Sequence, residues 1–176
     1  MKEERVILVD THDNQIGTMS KMEAHEKAIL HRAFSVFILN ERGELMLQQR
    51  AHDKYHSPSL WTNTCCSHQR EGEGNIEAGK RRLKEEMGFT TDLTELFHFI
   101  YQAPFDNGLT EHELDHVMVG FSEEDPKINT KEVAAYKWMH IDAVKEDLKK
   151  SPDDYTVWFA IIFNRFCQYI EDQLKL

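Results

Sequence analysis

Arg81-Arg82-Leu83-Lys84-Glu85-Glu86-Met87-Gly88-Phe89 reads as the last turns of a charged amphipathic helix. It stops at a glycine and carries two carboxylates in its final turn. Asn75 is placed to cap this helix, which then runs through Met87 and closes at Gly88. Thr62-Asn63-Thr64-Cys65-Cys66-Ser67-His68 ends thirteen residues before Arg81 and sets a thiol two residues from an imidazole.

Outward from these stretches, short apolar runs predict strands over residues 6–9, 33–39 and 44–49. Asp13-Asn14 reads as a turn, and Asn40-Glu41-Arg42-Gly43 as a hairpin turn. Further strands are expected over 94–103, 112–122 and 135–141, and a short helix over 142–150. Ser151-Pro152 suits an N-cap followed by a first helical residue, so the last helix is expected to open there. Along it Tyr155, Trp158, Phe159, Ile162, Phe163, Phe166 and Ile170 recur at helical spacing and form one apolar face. Strands and helices in this order predict an α+β (α/β layered) domain over residues 1–176, with helices packed on a mixed β-sheet.

The chain has 176 residues and a net charge of −10. That balance argues against general nucleic-acid binding, which needs a basic face, but leaves room for a small anionic substrate in a local positive pocket. No apolar run approaches the roughly 20 residues that span a bilayer, and the first residues lack the apolar core of a signal peptide. The expectation is a cytoplasmic protein with no membrane partner, as a monomer or small homo-oligomer. Three cysteines, two of them adjacent, do not make a disulfide framework, so a thiol is free for chemistry or for simple burial.

His25, His31, His68, Glu111 and Glu113 are scattered but chemically coherent as metal ligands. Glu111 and Glu113 are two apart, so on a strand both point to one face. Imidazole with carboxylate suits Zn²⁺, Mn²⁺ or Fe²⁺ better than Ca²⁺. Cys65 and Cys66 would point to opposite faces of a strand, so one of them lines any given pocket. Cys66 with His68 also reads as a zinc-ligand pair, though no second Cys/His pair stands at ribbon spacing. Lys21, Arg50, Lys54 and Arg82 are candidate phosphate contacts. Each of these residues has a plainer reading: histidines and cations as surface groups, cysteines as small core residues, Arg81-Arg82 with Glu85-Glu86 as helix ion pairs. Trp158 is core packing or an indole face for a cation, and Tyr101 a strand aromatic or the partner of an acid.

Taken together, these residues resemble type I isopentenyl diphosphate isomerases of the Nudix superfamily. The resemblance runs from Gly17-Thr18-Met19-Ser20-Lys21 and Ala24-His25 through His31-Arg32-Ala33-Phe34-Ser35 and Gln49-Arg50-Ala51. It continues through Trp61–His68 and the helix ending at Gly88 to Glu111-His112-Glu113 and Trp158. It implies Cys66 as the catalytic thiol and Glu113 as the opposing acid/base, assisted by Tyr101. It implies His25, His31, His68, Glu111 and Glu113 as ligands of a first metal, Mn²⁺ or Zn²⁺. Glu86 helps hold Mg²⁺ on the diphosphate; Lys21, Arg50, Lys54 and Arg82 contact the diphosphate; Trp158 covers the hydrocarbon tail. The spacing of His25 to His31 is one residue shorter than in bacterial members, and Gln69 replaces a proline.

The Nudix box, Gly-x5-Glu-x7-Arg-Glu-aliphatic-x-Glu-Glu-x-Gly-aliphatic, aligns backward from Gly88. It keeps Glu73, Arg81, Leu83, Glu85 and Glu86, with Ser67 for the first glycine and Arg82 for the first glutamate of the helix. A cation in place of that metal ligand favours holding a diphosphate over cleaving it. The competing expectations are a Nudix hydrolase of a nucleoside diphosphate derivative and a catalytically idle binding module. The resemblance implies a 1,3-allylic proton shift from isopentenyl to dimethylallyl diphosphate. Glu113 with Tyr101 protonates C4 and Cys66 takes the proton from C2, through a tertiary cation kept from water.

Overall fold

The structure, a computed structural model, describes residues 3–105 and 107–174. Among them the order is β1 (Arg5–Val9), β2 (Gln15–Ser20), α1 (Lys21–Glu26), β3 (His31–Leu39), β4 (Glu44–Arg50), β5 (Trp61–Thr62) and β6 (Cys65–Ser67). Then follow α2 (Asn75–Met87), β7 (Leu93–Pro104), β8 (Thr110–Phe121), β9 (Val133–His140), α3 (Ile141–Lys150) and α4 (Val157–Leu174). The nine strands form a mixed sheet, as the sequence predicts. β3 runs parallel to β8 over its whole length, from His31 opposite Glu113 to Leu39 opposite Phe121. β7 and β8 pair antiparallel, as do β4 and β9. β3 meets β4 only at Leu39 and Leu45, next to the hairpin turn that Gly43 closes at φ 74°.

The strand period of two sorts the core into two layers. Phe34, Val36 and Ile38 of β3 pack with Met46, Met118 and the Ala78, Leu83 and Met87 face of α2. Phe37 of the alternate set packs with Leu45, Leu47, Val117 and the Phe159, Phe163 and Phe166 face of α4. Phe37 and Phe166 stack with ring centroids 4.3 Å apart. Both faces of β3 are therefore covered, which explains its nearly continuous apolar run. Among the described residues no helix is long and apolar enough to cross a membrane.

Gly88 ends α2 in the left-handed conformation at φ 74°, donating to the Lys84 carbonyl. A Cβ there would collide with the backbone of Lys127, so the box glycine answers both a conformation and a close approach. Two end signals differ from expectation. Gly74, not Asn75, is the N-cap of α2, because the Asn75 amide is engaged by Gln69 and by His116 instead. Ser151-Pro152 does not open α4; Pro152–Asp154 is one 3₁₀ turn. The chain then becomes extended, with Tyr155 bridging to Trp61 and Thr156 N donating to Trp61 O at 2.9 Å. Those sheet-type bonds forbid helix, and the Thr156 hydroxyl caps α4 by accepting from Phe159 N at 3.2 Å.

Candidate active site

The α4-facing side of the sheet changes character along its strands. Phe37, Val117 and Val119 make it apolar at one end, while His31, Ser35, Glu111, Glu113 and Asp115 make the other end polar and buried. Register brings the polar groups together: Glu113 lies opposite both His31 and Tyr101, and Ser35 lies opposite Cys66. Cys65 faces the α2 core while Cys66 borders the α4 core, so the strand rule selects Cys66 for the pocket. The pocket is lined by Cys66, Tyr101, Glu111, Glu113, His68 and Trp158 together with Lys21, Arg50, Lys54, Arg82 and Glu86.

His25, His31, His68 and Glu111 form a cluster whose ligand-type atoms all lie within 4.8 Å of one another. α1 delivers His25 one turn after Lys21, with Ser20 capping the helix. The shortened spacing to His31 therefore does not carry His25 away from the cluster. His25 Nδ1 donates to the Lys21 carbonyl at 2.6 Å and His31 Nδ1 to the Ile29 carbonyl at 2.9 Å. Those bonds turn each Nε2 inward, the usual arrangement behind a ligating histidine. His25 Nε2 lies 3.0 Å from Glu111 Oε1, and His31 Nε2, His68 Nε2 and Glu111 Oε2 are buried without a partner. Two orphaned imidazole nitrogens and an orphaned carboxylate oxygen in one buried site fit a divalent cation, so the donor set suits a metal. Glu113 stands beside the cluster, with Oε2 3.9 Å from His68 Nε2. Cys66 and Glu86 lie in the same pocket wall but outside the four-residue cluster.

Burial sets the ionisation. It pushes His31 down to about 4 and His68 well below the ordinary histidine range. Burial opposes a charge on His25 too, but Glu111 outweighs it and raises His25. Burial and the adjacent Glu111 carboxylate lift Glu113 well above the usual carboxylate range, and Tyr101 Oη donates to Glu113 Oε1 at 3.1 Å. Burial, and then the Glu86 charge, push the Cys66 thiol up to about 12, with Arg50 and the Trp158 N–H pulling the other way.

The four cations line the pocket and are already engaged. Arg82 Nη2 lies 3.1 Å from both Glu86 Oε1 and Glu132 Oε2. Arg82 Nη1 pairs with Glu85 at 2.9 Å, so the plain reading of helix ion pairs also holds. Lys54 pairs with Glu132 in a short contact, and Lys21 pairs with Glu4 at 3.1 Å. The Arg50 guanidinium lies 5.2 Å from the Trp158 ring centre. Trp158 is both core and pocket wall, with Nε1 buried and lacking a hydrogen-bond partner.

Sequence reasoning missed four contributors. His56 is buried, stacks on Phe105 at 5.1 Å and meets Trp158 edge-on at 5.6 Å; burial and Arg50 push it down to about 3. Ser35 donates to Asp115 at 2.9 Å beneath Cys66. Glu132 and Glu4 neutralise the pocket cations. Only Ser35 stood in a stretch that carried the resemblance; the others have no spacing signal. Gln69, in the proline position, donates from Nε2 to Ala33 O at 3.1 Å and braces the loop after β6.

Residues 29–159 match the NUDIX domain family. The chain is 48% identical to "Isopentenyl-diphosphate Delta-isomerase" of Pectobacterium atrosepticum over 164 residues, 93% of this chain and 92% of that one. It is 48% identical over 175 residues to "Isopentenyl-diphosphate Delta-isomerase 2" of Photorhabdus laumondii subsp. laumondii, covering 99% of each chain. Among solved structures, DR0079 from Deinococcus radiodurans superposes with a TM-score of 0.77 at 20% identity, over 92% of this chain and 98% of that one. That likeness shows the fold. The fold, the box on α2 and these relatives establish that this chain belongs to the isopentenyl-diphosphate Delta-isomerase family of Nudix proteins.

Proposed function

We propose that this chain isomerises isopentenyl diphosphate to dimethylallyl diphosphate by a 1,3-allylic proton shift. The observation that carries the reading is one pocket holding a thiol, a tyrosine-bonded carboxyl group and four cations. A diphosphate needs the cations, and an alkene needs an acid and a base. Residues 1–176 act as one catalytic unit in this reading: α1 supplies Lys21 and His25, and α4 supplies Trp158.

In the forward direction Glu113, backed by Tyr101, gives a proton to C4 of the alkene. The resulting tertiary cation at C3 loses a proton from C2 to the Cys66 sulfur. The double bond moves, and exchange with solvent then takes the proton from Cys66 and returns one to Glu113, which restores the starting state; the reverse reaction swaps the two roles. A thiol pushed up to about 12 makes proton acceptance by Cys66 the demanding role. Trp158 and its aromatic neighbours exclude water, which would trap the cation as an alcohol, and the indole stabilises positive charge by about 1–2 kcal/mol.

Lys21, Arg50, Lys54 and Arg82 bind the diphosphate, displacing Glu4 from Lys21 and Glu132 from Lys54 and Arg82. Mg²⁺ suits the diphosphate oxygens with Glu86 as a protein ligand, and Mn²⁺ or Zn²⁺ suits His25, His31, His68, Glu111 and Glu113. When bound, these ions supply positive charge that fixes the carboxylates and neutralises the substrate. Arg82 in place of the box glutamate favours this chemistry over hydrolysis. The unpaired thiols of Cys65, Cys66 and Cys167 suit a reducing, cytoplasmic setting.

Proton NMR of isopentenyl diphosphate in D₂O, with Mg²⁺ and Mn²⁺ or Zn²⁺ added, tests the proposal. Deuterated dimethylallyl diphosphate is the expected product. An unchanged substrate spectrum with every metal overturns the assignment.

A further inference from the structure

The opposite face of the same β7–β8 hairpin carries a second group of ligand-type side chains. We propose that Glu95, His98 and His116 form a second divalent-metal site, for an imidazole-preferring ion such as Zn²⁺, separate from the catalytic pocket. Their ligand-type atoms lie within 4.8 Å of one another. His116 alternates with Asp115 along β8, so it projects toward the α2 side, away from Glu111 and Glu113.

Backbone geometry assembles the group. His98 lies directly opposite His116, with ring centres 5.2 Å apart. Glu95 is three residues before His98, which on a regular strand puts the two on opposite faces. A β-bulge between Glu95 and Phe97 adds one residue and turns Glu95 to the face of His98.

Both nitrogens of His116 are engaged by side chains. Gln69 Nε2 donates to the Ala33 carbonyl, an obligate acceptor, and also to Asn75 Oδ1 at 2.9 Å. That sets the Asn75 amide, whose Nδ2 lies 3.1 Å from His116 Nδ1. His116 Nε2 carries the proton and donates to Asp13 Oδ2 at 2.9 Å, while Arg32 Nε holds Asp13 Oδ1 at 2.7 Å. A carboxylate behind one imidazole nitrogen is the support that metal-ligating histidines receive. Yet the Glu95 carboxylate also presses on His116 Nδ1 in a short contact. In the metal-free chain a proton on Nδ1 fills that contact, and a metal bound by both groups would take its place. Two imidazoles and one carboxylate, with Glu95 and His98 open to solvent, give three ligands and a position for water. An ion there would tie the β1–β2 turn, through Asp13, to the start of α2 and to the β7–β8 hairpin.

Zinc titrated by calorimetry into the metal-stripped full chain tests this. The wild type is expected to take one more equivalent than His98→Ala or Glu95→Gln, both exposed positions whose change spares the core and the isomerase turnover. Asp13→Asn is expected to keep the equivalent with affinity weakened by about 10- to 100-fold. Anomalous diffraction at the zinc edge should place a peak about 2.0–2.2 Å from both imidazoles and Glu95. Equal stoichiometry in wild type and His98→Ala overturns the site. So does a map without that peak, which leaves His116 as a protonated ring held between Glu95 and Asp13.

Discussion

Tyr101 Oη donates to Glu113 Oε1 at 3.1 Å across β7 and β8, where the two residues stand directly opposite one another. The phenol is buried, and burial with the Glu113 charge lifts it well above its ordinary value, so it stays a donor at any working pH. Tyr101→Phe is expected to lower kcat by about 10²-fold or more, the lower range for a lost proton-transfer partner, with KM little changed. Steady-state kinetics on isopentenyl diphosphate measure the split, and an equal rise in KM would make Tyr101 a binding residue instead.

Cys66→Ala and Glu113→Gln each remove one end of the proton shift. Both are expected to abolish deuterium incorporation in the NMR assay while circular dichroism keeps the wild-type fold. Turnover like that of the wild type in either variant removes that residue from the mechanism.

Trp158 lines the pocket with Cys66 and its N–H lowers the thiol, against the burial that raises it. In the proposed forward reaction the thiolate is the base, so kcat/KM should rise with pH as more of it forms. Trp158→Phe keeps a ring but loses the N–H, and should shift that rising limb to higher pH. A drop in rate with an unmoved profile would assign Trp158 to packing and cation stabilisation alone.

Glu132 holds both Lys54 and Arg82. Glu132→Gln frees Lys54 and takes one of three carboxylates from Arg82, and KM is expected to fall by roughly fivefold, equivalent to about 1 kcal/mol for a partly exposed pair. Substrate affinity compared at low and high salt checks this, because the gain should shrink as ions screen it. A KM that rises would make Glu132 part of the substrate site.

His31 is buried and held down to about 4, against 6.5 for an exposed histidine. The unfolded chain binds a proton there between those values and the native metal-free protein does not. Stability is therefore full above pH 6.5 and falls as pH drops toward 4. Urea midpoints of the metal-stripped protein should decline over that window, and His31→Asn should flatten the decline. An equal slope in both proteins would trace the acid loss to other groups.

The box from Glu73 to Phe89 was legible in the sequence because each requirement in it is local. Gly88 answers a left-handed φ, Leu83 and Met87 recur at helical spacing, and Arg81 reaches Glu73 at 2.7 Å. Glu111 with Glu113 and Cys66 against Cys65 were legible through the strand period of two. The start of α4 was misread because Ser151-Pro152 is a strong local signal, overridden by Tyr155 and Thr156 bonding to Trp61.

By itself, the sequence determined six of the nine strands apart from their ends, α2 and α3, the alternation of faces along a strand and the chemical types available to a site. Tertiary structure alone decided which of the ten histidines meet. His25, His31 and His68 converge with Glu111 because the parallel pairing of β3 with β8 sets His31 opposite Glu113. It also decided that Glu132 and Glu4 guard the cations, and that a bulge after Glu95 brings it to His98. The physical reason is range: φ, helical spacing and strand alternation are fixed by neighbours in the chain, whereas burial and ion pairing depend on residues up to about a hundred positions away.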